Sequence, residues 1–98
     1  MSIAMSGIQS TTNERTVDFQ LSAPQAKSVN LCGTFNGWRT NAGRLTKDYR
    51  GIWKGSMQLK PGRYEYRFFV DGQWIDDPRA KKTVANQFGC KNAVLEVK

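Results

Sequence analysis

Hydrophobic and polar residues alternate with a period of two along most of this chain of 98 residues. Because successive side chains of a β-strand point to opposite faces, this period predicts strands buried on one face, whereas a helix repeats about every 3.6 residues. The apolar series are Val17, Phe19 and Leu21; Val29, Leu31, Gly33 and Phe35; Trp53, Gly55, Met57 and Leu59; and Tyr64, Tyr66, Phe68 and Val70. A final apolar segment, AVLEVK, predicts one more strand at residues 93–98.

Turn-forming residues separate these segments. Pro24 ends the first strand, Lys60-Pro61-Gly62 forms a turn, and Asp71-Gly72 suits the positive φ of a type I′ hairpin. Short strands with a turn roughly every 8–12 residues predict an all-β fold, an immunoglobulin-like β-sandwich rather than a closed barrel. Residues 79–92 lack a clear period, so we expect one long loop there, where sandwich folds often carry function.

Composition and hydropathy describe a globular domain. Hydrophobic residues make up 39% of the chain and the mean hydropathy is −0.59. No run approaches the roughly 20 apolar residues of a membrane helix, and the first residues lack the features of a signal peptide, so a cytoplasmic location is expected.

We predict a flexible tail at residues 1–14 and one domain at residues 15–98. Cys32 and Cys90 are expected as free thiols, with a disulfide left open.

The charge of the chain has to be explained as well. It carries 15 Lys and Arg against 8 Asp and Glu, a net charge of +7. A strongly basic balance can indicate nucleic-acid binding, and basic residues beside exposed aromatic rings are typical of single-strand binders. The basic residues nevertheless form two scattered groups, at residues 39–54 and 79–82, with acidic residues between and beside them. Nucleic-acid binding therefore stays open as an alternative function.

The three tryptophans divide into two kinds. Trp53 lies mid-strand in phase with Met57 and Leu59, so it is predicted to belong to the core. Trp38 and Trp74 each follow a turn-like dipeptide at the end of an alternating strand. Such rings can cap a core, but rigid indoles among amide and basic residues also suit sugars, whose C–H faces stack on aromatic rings while their hydroxyls take hydrogen bonds. Oligosaccharide binding and core capping are therefore both interpretations of these two rings.

Three longer motifs carry a resemblance to a known family. The stretches VNLCGTFNGWRT, GRYEYRFFVDGQWIDDP and NQFGCKNAVLEVK together resemble the family 48 carbohydrate-binding module. That module is the isoamylase-type early-set domain of branching and debranching enzymes and the glycogen-binding domain of β subunits of AMP-activated kinase. The resemblance implies an early-set, immunoglobulin-like sandwich that binds α-glucans (glycogen, starch-like polymers or maltooligosaccharides) without catalysis.

The resemblance also implies a binding site, residue by residue. The two sugar-stacking tryptophans of the family fall on Trp38 and Trp74, and its basic residue before the F-F-V-D-G stretch, commonly lysine, falls on Arg67. An apolar residue before a loop glycine, familiar as leucine, falls on Phe88, and an asparagine that bonds hydroxyls falls on Asn92. The alternation agrees independently that the Arg67 side chain points away from the core. A strand charge paired with a neighbour is the other interpretation of Arg67.

Catalysis is not expected. The chain has no histidine, the usual residue of metal sites and catalytic triads, and no metal or cofactor is predicted. A glycosidase-type pair of carboxylates is the remaining possibility among Glu65, Asp71, Asp76 and Asp77, and turn formation is the better interpretation of Asp71 and Asp77. The resemblance to the N-terminal domain of family 13 glycoside hydrolases would explain a label of that kind without implying activity.

The predicted partners follow from the same resemblance. They are an α-glucan and, beside it, a glucan-active enzyme or a kinase, with no membrane contact. A protein-interaction module within a kinase-like or glycoside hydrolase complex is the third interpretation of the chain.

Overall fold

The computed structural model describes residues 13–98, which form eight strands in two antiparallel sheets. The strands are β1 Arg15–Ser22, β2 Val29–Gly33, β3 Thr46–Lys47, β4 Ile52–Leu59, β5 Gly62–Val70, β6 Gln73–Ile75, β7 Thr83–Ala85 and β8 Lys91–Val97. Within this range a 3₁₀ turn at Thr34–Asn36 is the one helical element, and no helix is long and apolar enough to cross a membrane. The predicted immunoglobulin-like sandwich is confirmed. The predicted tail lies outside the described residues except for Asn13 and Glu14.

Each sheet is built around one long central strand. In the three-stranded sheet β4 lies between β1 and β3. In the five-stranded sheet the central strand is β5, and β2 pairs with one of its edges. Along the other edge, β8 pairs with the first half of β5 and β6 with its end. The last strand, β7, pairs with β8. The alternation along β5 therefore gives this sheet one face toward the core and one outer face.

The alternating apolar residues fill the space between the sheets. Val29, Leu31 and Phe68 are fully buried, and the rings of Phe19 and Tyr66 meet edge to face with centroids 5.2 Å apart. Burial of apolar side chains in a closely packed interior of this kind is the main source of stability for a small domain. Most of the positions predicted to face inward thus belong to the core or pack against it.

The hairpin between β5 and β6 has the predicted turn. Asp71 and Gly72 have φ angles of 47° and 86°, which is the left-handed pair that a type I′ turn requires. The Asp71 carboxylate also accepts hydrogen bonds from the amides of Lys27 and Ser28, with the shortest N–O distance at 2.8 Å. The turn is therefore tied to the segment that leads into β2.

The prediction of one long loop at residues 79–92 is wrong. Thr83–Ala85 forms β7, which pairs with β8, and β8 begins at Lys91 rather than at Ala93. A strand of three residues is too short to show a period of two, and its pairing depends on a partner that lies later in the chain. The correction leaves a hairpin loop of residues 86–90 between β7 and β8.

Candidate functional site

The outer face of the five-stranded sheet carries a groove with a volume of about 760 Å³. We call it the outer groove. Glu65 and Arg67 of β5 point into it because they alternate with the buried residues Tyr66 and Phe68. Its lining residues are Thr34, Trp38, Glu65, Arg67, Trp74, Asn86, Gln87, Phe88, Cys90 and Asn92. The structure therefore brings all five of the predicted site residues together around one groove.

Trp38 is presented by the tight turn that follows β2. The Asn36 side chain fastens this turn, because its Oδ1 accepts from the Gly33 amide at 3.0 Å and its Nδ2 donates to the Leu31 carbonyl at 2.9 Å. Gly37 and Trp38 then both adopt left-handed φ angles, 67° and 61°. This conformation costs a residue with a side chain about 1–2 kcal/mol. The fold thus maintains local strain where it holds the Trp38 indole at the groove.

Trp74 lies in β6, opposite Phe69 of β5, and is 40% exposed. Its ring centroid lies 5.0 Å from that of Phe69 and 6.2 Å from that of Trp38. The planes of Trp38 and Trp74 are inclined by 68°, so the two indoles meet edge to face. They do not form one flat platform, and a ligand that stacks on both rings must turn between them.

Arg67 is paired with Asp76 beside Trp74. Its Nε and Nη2 donate to Asp76 Oδ1 at 3.0 and 2.7 Å, and its guanidinium carbon lies 6.0 Å from the Trp74 ring centroid. The Arg67 side chain is only 12% exposed, so the charge is paired and largely buried rather than solvated. Within residues 13–98 its Nη1 has no hydrogen-bond partner, which leaves those hydrogens for a ligand or for water.

The loop of residues 86–90 forms a wall of the outer groove and carries Phe88, which is 79% exposed. Asn86 organises this loop. Its Oδ1 accepts from the amides of Phe88 at 2.9 Å and Cys90 at 3.0 Å, and its Nδ2 donates to Asn92 Oδ1 at 3.0 Å. The sequence interpretation missed Asn86, although an asparagine that bonds the amide two residues later is a known turn signal.

Asn92 lies beneath the groove, only 7% exposed, and links this loop to β5. Besides accepting from Asn86, it donates from Nδ2 to Glu65 Oε1 at 3.0 Å. Both polar groups of its amide therefore already have a protein partner. Direct bonding of a sugar hydroxyl by Asn92 stays a prediction, and its observed role is to hold two other groove residues in position.

Glu65 places a carboxylate in the outer groove. Its Oε2 accepts from Arg63 Nη1 at 2.7 Å, while Oε1 accepts from Asn92. These bonds, first that from Asn92 and then that from Arg63, hold the pKa of Glu65 below its usual range. The residue is therefore ionised at neutral pH. The sequence interpretation weighed Glu65 as a catalytic acid and did not assign it to the binding site, although its alternation puts it on the same outward face as Arg67.

Each carboxylate weighed for catalysis has a structural partner. Glu65 and Asp76 pair with arginines, and Asp71 anchors its turn. Asp77 accepts from the Arg79 amide at 2.9 Å and from the Tyr66 hydroxyl at 2.5 Å. Burial, aided by that bond to Asp77, raises the pKa of Tyr66. Turn formation by Asp71 and Asp77 is thus confirmed.

The two cysteines are free thiols in different surroundings. Cys32 is fully buried on the outer side of β2, and desolvation raises the pKa of its thiol. Cys90 is exposed and lines the outer groove. Within residues 13–98 no group of three or more Cys, Asp or Glu side chains is placed to hold a metal ion.

The fold and the site, a β-sandwich whose outer groove presents two indole rings among amides and paired charges, are typical of a carbohydrate-binding module. The family model described as "Glycogen recognition site of AMP-activated protein kinase" matches residues 16–98. The chain belongs to this family of glucan-binding modules.

Curated relatives support the family and show how little of each protein the chain covers. "Protein FLOURY ENDOSPERM 6, chloroplastic" of Oryza sativa subsp. japonica is 42% identical over 83 residues, which is 85% of this chain and 15% of that protein. "Protein PTST homolog 2, chloroplastic" of Arabidopsis thaliana is 45% identical over 70 residues, 71% of this chain and 13% of that protein. "5'-AMP-activated protein kinase subunit beta-1" of Bos taurus is 39% identical over 72 residues, 74% of this chain and 25% of that protein. The chain thus spans a quarter or less of these relatives.

Proposed function

We propose that the outer groove is where this module binds an α-glucan. Glucose rings stack on Trp38 and Trp74, Arg67 and Asn92 bond their hydroxyls, and Phe88 adds an apolar surface on the loop side. The observation that carries the proposal is that the indole rings of Trp38 and Trp74 lie together in a groove that is also lined by polar side chains. Their ring centroids are 6.2 Å apart. Rigid aromatic rings lose little conformational entropy on binding, so a shallow groove can hold a flexible polymer.

The angle between the indoles supports an α-linked chain. Successive glucose units of an α-1,4 glucan turn relative to one another and the chain curves, whereas a β-1,4 chain extends as a flat ribbon. Two rings inclined by 68° match the faces of sugars in a curved chain better than those of a flat one. We therefore assign glycogen, starch-like polymers and maltooligosaccharides as the ligand class.

The charges of the groove support a neutral ligand over nucleic acid. Among the lining residues Glu65 and Arg67 are the charged ones, and each is paired with an opposite charge. Lys47 and Lys54, which contribute to the net charge of +7, belong to the other sheet of the sandwich. Among the described residues, the lining of the outer groove therefore carries no unpaired basic side chain.

Gel retardation by glycogen tests the proposed function. We expect retardation in gels that contain glycogen, with nearly equal strength at about 50 mM and about 500 mM salt, because stacking and hydroxyl bonds release few counterions. Migration unchanged by glycogen would contradict α-glucan binding. Retardation that disappears at high salt, together with binding of single-stranded DNA, would favour nucleic acid instead.

Asn86→Ala tests the loop wall of the outer groove. The change removes two bonds to loop amides and one to Asn92, and each bond contributes about 0.5–1.5 kcal/mol. We expect faster hydrogen exchange at the Phe88 and Cys90 amides and an affinity for maltoheptaose reduced about three- to tenfold. Unchanged exchange and unchanged affinity together would show that Asn86 does not hold this wall.

We further propose that the module brings a glucan-active enzyme or a kinase to polysaccharide. The support is that one relative is named as a kinase β subunit, of which a segment like this chain forms 25%. Retention of an associated kinase or glucan-active enzyme on glycogen beads, and its loss in a Trp74→Ala variant, is the corresponding measurement. The cytoplasmic location stays a prediction.

A further inference from the structure

We propose that Glu65 and Asp76 make the outer groove selective for neutral glucans over anionic ones, such as glucans that carry phosphate esters. The inference rests on the proposed function, and it adds a specificity that stacking alone does not provide. Indole rings stack on a glucose unit whether or not a neighbouring hydroxyl carries a phosphate. Discrimination must therefore come from charges beside the rings.

The first of these charges is the Glu65 carboxylate. It lines the groove and is 26% exposed, so its negative charge reaches the space that a ligand fills. Its bonds from Asn92 and Arg63 fix both oxygens and maintain the ionised form. Because Arg63 Nη1 is 2.7 Å from Oε2, the nearest guanidinium on this side is already bound to a carboxylate.

The second charge is the Asp76 carboxylate, on the Trp74 side. It takes two donors of the Arg67 guanidinium on one oxygen, and it remains 60% exposed. An arginine would otherwise be the natural partner of a phosphate, because its planar fork binds two oxygens at once. Asp76 occupies part of that fork and places a negative charge next to it.

Each guanidinium near the ligand is therefore bound to a carboxylate: Arg67, which lines the groove, to Asp76, and Arg63, which lies outside the lining, to Glu65. A phosphate group that enters must either compete with the carboxylates for the guanidinium donors or lie beside a like charge. Glucose hydroxyls meet no such penalty, because they can donate to the carboxylates and accept from Arg67. We expect each carboxylate to disfavour a phosphorylated ligand about three- to tenfold relative to a neutral one at low salt.

Calorimetry with two ligands tests the inference: maltoheptaose, and the same oligosaccharide carrying a phosphate ester. The measured quantity is the ratio of the Kd of the phosphorylated ligand to that of the neutral one. For the native protein we expect a ratio above one that falls toward one at high salt. Glu65→Gln, which keeps an oxygen for Asn92, and Asp76→Asn should each lower the ratio about three- to tenfold.

Asp18→Asn is the matched control, since it makes the same change of charge on β1 of the opposite sheet, and its ratio should equal that of the native protein. A native ratio of one or less, or a ratio unchanged in both groove variants, would overturn the selectivity. A shift as large in Asp18→Asn would overturn it too, because net charge would then be the cause. If maltoheptaose itself does not bind, the proposed function fails; binding without discrimination removes this inference alone.

Discussion

Replacing Trp74 by alanine is expected to weaken binding of glycogen about 30- to 900-fold, since truncating a central aromatic anchor costs about 2–4 kcal/mol. Trp74 is 40% exposed, and its ring lies beside those of Trp38 and Phe69 and beside the Arg67 guanidinium. Its removal would therefore take away one stacking surface and the support of the other. The backbone bonds of β6 to β5 do not depend on the indole, so we expect the sandwich to stay folded.

Affinity electrophoresis in glycogen and chemical denaturation should be measured on the same Trp74→Ala protein. Tyr49→Ala is the matched control, because Tyr49 is a 95% exposed aromatic residue in the turn between β3 and β4, away from the outer groove. We expect full retardation for the control and little for Trp74→Ala, with similar denaturation midpoints. Native retardation of Trp74→Ala, or an equal loss in the control, would contradict the assignment of Trp74 as a sugar platform.

The positions and inward faces of the long strands could be predicted because burial acts on every second residue. The series that includes Leu31 and the one that includes Phe68 became neighbouring strands whose inward residues are fully buried. The turn at Asp71 and Gly72 was predictable for another local reason, the positive φ that this dipeptide tolerates. β7 was missed because its three residues gain their bonds from β8, a non-local contact that no local pattern reports.

The five residues predicted for the site line one groove, but the bonds that arrange them there could not be predicted. Trp38 and Asn92 are 54 positions apart in the numbering, and the family resemblance alone connected them before the structure placed both at one groove. The bond between Asn92 and Glu65 joins residues 27 positions apart, and the bond from Arg67 to Asp76 depends on the hairpin that aligns them. Pairings of this kind arise from tertiary packing, so residue identity could not predict them.

The residue tested for stability and the residue tested for binding lie on different sheets of the sandwich. The three-stranded sheet holds Trp53 in its central strand, whereas the outer groove lies on the far side of the five-stranded sheet. Distant sites that share no partners usually have additive effects on stability. A change at Trp53 should therefore act on folding, and a change at Trp74 should act on the ligand.

Replacing Trp53 by alanine is expected to lower the free energy of unfolding by about 3–5 kcal/mol, the usual cost of emptying a large aromatic site in a core. Trp53 is only 5% exposed, and its Nε1 donates to the Ala23 carbonyl at 2.9 Å. The variant would leave a cavity between the sheets and deprive that carbonyl of its donor. Small domains have only about 5–15 kcal/mol in total, so part of the variant population could be unfolded at 37 °C.

Urea denaturation followed by circular dichroism measures this loss, and Trp53→Phe provides a milder variant that fills most of the cavity and should lie between alanine and the native protein. The folded fraction of either variant should still bind glycogen with native affinity, because neither touches the outer groove. A Trp53→Ala protein with native stability would refute the core assignment. Native stability combined with lost binding would indicate that Trp53 contacts the ligand instead. The 5% exposure of Trp53 argues against such a contact.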